Sequence, residues 1–211
     1  MNQLEEIVDR IRKALDARTA ARDHALSQTR LMTRYCANAI RAIHRDEQDL
    51  AQSNLIEAKQ LSKSLKTELA EYPDLYFAGY TQDALKEYAE ANIAFAIIQG
   101  NGLPEPEELG VEFSIYLQGL AETVGELRRR CLDLLRVGRS QDAEIILSQM
   151  DDIYAILITM DYPDAITGGL RRLTDIVRGV TERTRGDLTI SLRQTQLEKS
   201  LHRLEERLKK I

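Results

Sequence analysis

The sequence predicts an all-α fold, and three observations carry that prediction. No glycine or proline occurs before Pro73, whereas strands over such a length would need tight turns, and residues tolerant of positive φ, every ten or so positions. The whole chain holds only 11 glycines and 4 prolines in 211 residues, about 7% against the roughly 12% usual for soluble proteins. Apolar residues recur at three- and four-residue spacing along the breaker-poor stretches, which is the period of an amphipathic helix.

The first helix is expected over 3–44, through Leu4, Ile7, Ile11 and Leu15 and later Leu31, Ala39 and Ile43. A second is expected over 46–71, ended by Tyr72-Pro73 because the residue before proline is pushed out of the α region. A loop with Tyr76, Phe77, Gly79 and Tyr80 follows, and Thr81 is the expected N-cap of a helix over 82–99 that stops at Gly100-Asn101-Gly102. Pro104 and Pro106 stiffen the next connection, and a helix over 111–137 ends at Gly138. Ser140 is expected to cap a helix to about 160, and Asp161-Tyr162-Pro163 to form a turn. A further helix runs from 163 past Gly168-Gly169 towards 185, and a final polar one carries Leu197, Leu201, Leu204 and Leu208 to the end. These make about seven helices, with no repeat and no low-complexity linker, so a single domain over 1–211 is expected.

Composition narrows the function classes. Apolar residues make up 43% of the chain, charged residues 30%, and the net charge is −5. No apolar run approaches the roughly 20 residues of a membrane span. The opening MNQLEEIVDRIRK lacks the apolar centre of a secretory signal, so a cytoplasmic location is expected. Cys36 and Cys131 are too few and too far apart for a disulfide framework or a structural zinc cluster and read as small core residues.

Two carboxylate pairs stand out. The expected helix over 82–99 is apolar from Ala91 to Ile98 except at Asn92, the pattern of a helix buried all round. Glu87 and Glu90 sit on one side of it, where that apolar half begins. In the helix over 111–137, Glu122 and Glu126 flank an apolar stripe of Phe113, Tyr116, Leu120, Val124, Leu127 and Cys131. Gly119 and Gly125 lie beside them, and each costs about 1 kcal/mol relative to alanine inside a helix, so close helix contact or a ligand is expected to offset both. Four carboxylates brought together need cations, and oxygen donors suit hard divalent ions such as Mg²⁺ or Mn²⁺, which serve phosphoryl chemistry. The plainer alternative is that two such pairs arise by chance among 34 acidic residues and lie on solvated faces. A ferritin-like di-iron site is excluded, because none of His24, His44 and His202 has a glutamate three residues earlier. The Glu-x-x-Glu spacing of Glu87 and Glu90 also matches the first half-motif of the all-α nucleotide pyrophosphohydrolases, whose second half differs from Glu122 and Glu126.

Basic residues are concentrated as well. Between Arg18 and Arg45 there are six arginines, two histidines and one acid, a local charge of +5, and Arg30, Arg34, Arg41, His44 and Arg45 are candidates for phosphate contacts. Helix pairing with an acidic surface is the alternative use of that stripe. Arg128, Arg129 and Arg130 directly follow the second carboxylate pair and are candidates for holding a substrate backbone.

These residues carry a resemblance. YLQGLAETVGELRR, Tyr116 to Arg129, resembles the most characteristic segment of the translin and Trax family, and LKEYAEANIAF, Leu85 to Phe95, is similar to the Trax branch. Thr29-Arg30 and His44-Arg45 resemble that family's Ser-Arg and His-Arg pairs, and Leu170 to Leu192 its last helices more loosely. The resemblance implies a seven-helix bundle that assembles into a hollow octamer around single-stranded RNA, or DNA, with Trax-type subunits supplying an Mg²⁺-dependent endoribonuclease site. Glu87 and Glu90 match the first catalytic pair, Glu126 matches the glutamate after the glycine, and Glu122 stands where the Trax pattern has aspartate. The translin branch has non-acidic residues at the first pair and a histidine in the preceding stretch, whereas Tyr76 to Gln82 here has none. The chain thus looks like a Trax-type subunit of a homo-oligomer, with a non-catalytic nucleic-acid-binding shell as the alternative.

Overall fold

The computed structural model describes residues 2–209, and every regular element among them is an α-helix: α1 (Asn2–His44), α2 (Gln48–Glu68), α3 (Pro73–Tyr76), α4 (Gly79–Gln99), α5 (Pro106–Leu109), α6 (Phe113–Arg136), α7 (Ser140–Leu157), α8 (Asp164–Thr167) and α9 (Leu170–Leu208). No helix among the described residues is long and apolar enough to cross a membrane. The chain divides into two compact units, Met1–Gly119 and Leu120–Ile211, and α6 runs unbroken through the division.

In the first unit, α1 and α2 form an antiparallel hairpin. The chain reverses through Asp46, a non-glycine residue at φ 59°, a conformation aspartate tolerates better than most side chains. The amides of Arg45 and Glu47 both donate to the Ala42 carbonyl, at 3.1 and 2.9 Å, so the last turn of α1 closes on itself. Farther out, Gln28 Nε2 on α1 donates to Ser64 Oγ and Glu68 Oε2 on α2 at 3.3 and 2.9 Å. Met32, Cys36, Ala39 and Ile43 of α1, Ala51, Leu55, Ala58 and Leu65 of α2, and Leu85, Tyr88, Ala89 and Ile93 of α4 are buried. Each large apolar side chain so removed from water contributes about 1.5–3 kcal/mol. The periodicity that predicts α1 does not predict burial along all of it, since Leu4, Ile7, Ile11 and Leu15 are exposed.

Three boundaries in this unit differ from the sequence expectation. The second helix stops at Glu68, and the expected loop contains the one-turn α3, with Pro73 at its first position. Helix α4 begins at Gly79 with Ala78 as N-cap. Thr81 is therefore inside the helix, where its Oγ1 donates to the Leu75 carbonyl at 2.9 Å and ties α4 back to α3.

In the second unit α7 packs along α9. Leu127, Cys131 and Leu134 of α6, Ala143, Leu147, Met150 and Leu157 of α7, and Leu170, Val177 and Leu188 of α9 are buried. Arg185 of α9 reaches Asp151 of α7 at 2.6 Å. The helix expected to run on past Gly168-Gly169 stops there, because both glycines adopt left-handed conformations, at φ 62° and 85°, and so cap α8 and open α9. From Leu170 the chain then stays helical to Leu208, joining what the sequence suggested were two helices.

Candidate functional site

Glu87 and Glu90 lie half-buried on α4, one turn apart. Their charges act on the thiol of Cys36 in α1, which is fully buried. Burial first, then Glu87 and then Glu90, push that thiol up to about 12, because a thiolate there would lose hydration and face two negative neighbours. Between the two glutamates, Tyr88 is also fully buried with its hydroxyl making no hydrogen bond. Burial, and secondarily Cys36, push this phenol up. The first carboxylate pair therefore borders the buried seam between α1 and α4.

Gly119 fixes where the start of α6 approaches that pair. A methyl group on it would come within 2.8 Å of Ala89 Cβ and 3.0 Å of both the Glu90 amide nitrogen and the Lys86 carbonyl. Only a glycine lets the two backbones approach this closely. The same explanation fails for Gly125, around which nothing lies within 4 Å. Of the two expected reasons, close helix contact applies at Gly119, while at Gly125 the space is open and only the ligand alternative is left.

Glu122 and Glu126 lie half-buried on α6 in the second unit. The structure thus carries the four predicted acids as two pairs, each on one helix. Among the described residues no three His, Cys, Asp or Glu side chains already converge in a way that could hold a metal ion. The donor chemistry of the four is uniform, with carboxylate oxygen suited to Mg²⁺ or Mn²⁺ and no soft ligand among them.

The three consecutive arginines that follow have different environments, because successive residues on a helix point about 100° apart. Arg128 Nη1 donates to Thr184 Oγ1 at 3.0 Å and pairs with Asp187 Oδ2 at 2.9 Å, tying α6 to α9. Arg129 is exposed and Arg130 half-buried. Arg128, a candidate phosphate contact by sequence, has Thr184 and Asp187 as partners within the second unit. Nothing in the sequence separates it from its two neighbours without knowing which way α9 runs.

The basic stripe on α1 is better defined than composition implies. Arg30, Arg34, Arg41 and Arg45 are all exposed, and the spacing of the first three places them within about 40° of arc along about 16 Å of α1, with Arg45 in the turn just past its end. His44, half-buried, lies at the edge of the same face. Arg41 also donates to Asn38, one turn back. The other two arginines of the basic segment lie off this face and are ion-paired, Arg18 with Asp74 and Arg22 with Asp23.

No protein-family model matches the chain. An uncharacterized protein of Methanocaldococcus jannaschii is 33% identical over 188 residues, covering 88% of this chain and 83% of that protein. Among solved structures, the C3PO of Archaeoglobus in complex with duplex RNA is 34% identical, covers 87% of this chain and 95% of its own, and superposes with a TM-score of 0.81. The crystal structure of Archaeoglobus C3PO alone gives 33% identity over 87% of this chain and 96% of that one, also at 0.81. The structure of apo-NeC3PO shares the fold at a TM-score of 0.81 with 23% identity, over 87% of this chain and 96% of its own. C3PO is of the translin/Trax family. With this all-α architecture and identity above 30% across nearly the whole of the Archaeoglobus chain, the protein belongs to the translin/Trax family.

Proposed function

We propose that the chain is a divalent-metal-dependent endoribonuclease whose subunits assemble into a homo-oligomeric shell, an octamer by family resemblance, that holds single-stranded RNA. The observation that carries this reading is the setting of Glu87 and Glu90: two half-buried carboxylates border a fully buried seam, and a glycine on α6 meets the backbone at Glu90. Surface acids of no function need no such setting. RNA as the substrate class is supported by the Archaeoglobus relative in complex with duplex RNA and by the exposed arginine face of α1.

Glu87, Glu90, Glu122 and Glu126 would hold one or two Mg²⁺ ions, with Mn²⁺ able to substitute. Bound there, the metal supplies Lewis acidity that lowers the pKa of a water and offsets charge on the phosphate. The carboxylates contribute more than ligation, since an ionised glutamate beside the attacking water also accepts its proton. Arg129 and Arg130 orient the phosphate, while Arg128 holds α6 on α9. Arg30, Arg34, Arg41 and Arg45 bind the strand through phosphates, with His44 at their edge.

The test is cleavage of labelled single-stranded and duplex RNA with Mg²⁺, with Mn²⁺ and with chelator, in the parent protein and in Glu90→Gln. Metal-dependent cleavage of single-stranded RNA that Glu90→Gln reduces at least ~100-fold, with binding retained, is the expected result. Each arginine removed from the α1 face should lower the slope of log affinity against log salt by about 0.7–0.9. Cleavage that persists in chelator would overturn the metal mechanism. A second reading, a non-catalytic RNA-binding shell, is favoured by the lack of converging metal ligands among the described residues. Tight RNA binding without cleavage in any metal would establish it, and pyrophosphate release from free nucleotides would point instead to a pyrophosphohydrolase.

A further inference from the structure

The connection from α4 to α6 holds a second concentration of acids. Residues 103–113, LPEPEELGVEF, carry four glutamates and no basic residue. Two of the four build the segment itself. Glu105 and Glu108 form a reciprocal capping box around α5, in which the Glu105 amide donates to Glu108 Oε2 at 3.0 Å and the Glu105 carboxylate accepts the amide of Glu108. Gly110 then ends α5 in a left-handed conformation, at φ 70°, with its amide donating to the Pro106 carbonyl at 2.8 Å. The backbone is thus fixed, and Glu107 and Glu112 are left over from its construction.

Glu107, Glu112 and Phe113 line a cavity of about 300 Å³ together with Pro106, Val111 and, from α2, Lys66, a volume at the lower end of ligand pockets. Phe113 is 67% exposed. Among the described residues Glu107, Glu112 and Lys66 form no ion pair and no side-chain hydrogen bond. Glu112 lies within electrostatic reach of Tyr76, whose phenol is pushed up by burial and then by this carboxylate.

The cavity selects by charge. Four glutamates on one segment repel a phosphate backbone and attract an organic cation. No third carboxylate, imidazole or thiol among the described residues joins Glu107 and Glu112 to hold a metal ion. An exposed ring next to unpaired carboxylates fits a guanidinium, which stacks flat on the ring while its N–H groups pair with carboxylate oxygens. An ammonium lacks the plane that does both. Lys66 disfavours a polycation such as a polyamine and offers a partner to a carboxylate carried beside the guanidinium. Leu103, 51% exposed at the start of the same segment, adds apolar surface that a free amino acid would leave uncovered and a polypeptide would not.

We propose that this cavity docks a partner protein through an arginine side chain followed by an acidic residue, the guanidinium stacking on Phe113 and pairing with Glu107 and Glu112 while the acid meets Lys66. The docking site uses no residue of the carboxylate pairs or of the α1 arginine face, so it stands independently of the nuclease reading.

Fluorine nuclear magnetic resonance of the full-length protein, with 4-fluorophenylalanine at Phe77, Phe95 and Phe113, reads the cavity directly, and Phe113→Leu identifies the Phe113 resonance. The probe is an acetylated octapeptide whose only charged residues are an adjacent arginine and glutamate. Titration should shift the Phe113 resonance, and lysine in place of the peptide's arginine should weaken binding severalfold. Glu107→Gln and Glu112→Gln, both at exposed positions, should each do the same. No shift with the arginine peptide, an equal response to the lysine peptide, or no effect of either glutamine variant would overturn the proposal. So would a Phe113 resonance moved by a single-stranded RNA oligonucleotide and not by the peptide. A Phe113 resonance that moves in Arg34→Gln or Arg41→Gln without any peptide would equally overturn it, since the arginines of a second copy would then fill the cavity.

Discussion

Helices α4 and α6 each carry two glutamates about one turn apart, yet they hold them in different ways. The α4 pair borders a buried thiol and a buried phenol on a helix with little polar surface, and a glycine of α6 meets the backbone at Glu90. The α6 pair sits on a strongly amphipathic helix, next to a glycine with open space around it and ahead of an arginine committed to α9. One sequence signal, paired half-buried acids at helical spacing, therefore occurs beside a buried thiol and phenol on α4 and beside a glycine with open space on α6. Spacing alone reports which acids share a face. The burial and charge around them report how firmly the face is held.

Substitutions at the two α6 glycines should break this contrast if it is wrong. Gly119→Ala should destabilise by about 1–3 kcal/mol, since the added methyl meets Ala89 Cβ and the α4 backbone and part of the helix must shift. Chemical denaturation would show this as a lower midpoint at unchanged slope. Arg128→Ala should cost about 1–2 kcal/mol by removing the link to Thr184 and Asp187, while leaving the salt dependence of RNA binding at the parent value. Gly125→Ala should stabilise by up to about 1 kcal/mol, because the helix gains alanine's propensity and nothing obstructs the methyl. A stabilising Gly119→Ala, or a strongly destabilising Gly125→Ala, would contradict the packing described for α6.

The smallest effect vanishes at neutral pH. Cys36 is raised by burial and by Glu87 and Glu90 from 9.0 to about 12 in the folded chain. Below about pH 9 the thiol is protonated in both folded and unfolded chains and contributes fully. As pH rises from 9 towards 12, only the unfolded chain ionises, so folding loses stability across that window. Parent protein should therefore lose more stability between pH 8 and pH 11 than Cys36→Ala does. Equal losses would show that the thiol is not held as the structure has it.

Much of the fold was legible because helix breakers are sparse and local. The absence of glycine and proline before Pro73 pointed to the two long helices α1 and α2, and Gly100, Gly110 and Gly138 all adopt the positive φ that ends a helix. The sequence reads Gly168 and Gly169 as interior to one helix, whereas both adopt the left-handed φ, 62° and 85°, that breaks it. Gly179 and Gly186 sit inside α9 without ending it. Local sequence cannot separate these two kinds of glycine, nor the wedged Gly119 from the open Gly125. The acids and the α1 arginines were legible as pairs and as a charged segment. The buried surroundings of Glu87 and Glu90 were not, because Cys36 lies on a different helix about fifty residues earlier, and no spacing rule links them.

The proposed function requires the α4 pair and the α6 pair of glutamates to serve the same metal ions. Mn²⁺ binding followed by electron paramagnetic resonance tests this in the parent, in Glu90→Gln, in Glu126→Gln and in the double variant. If all four acids hold the same ions, each single variant should weaken binding at least ~10-fold, and the double variant should weaken it by clearly less than the product of the two. A single variant that binds Mn²⁺ as the parent does, or two losses that multiply independently, would contradict the account.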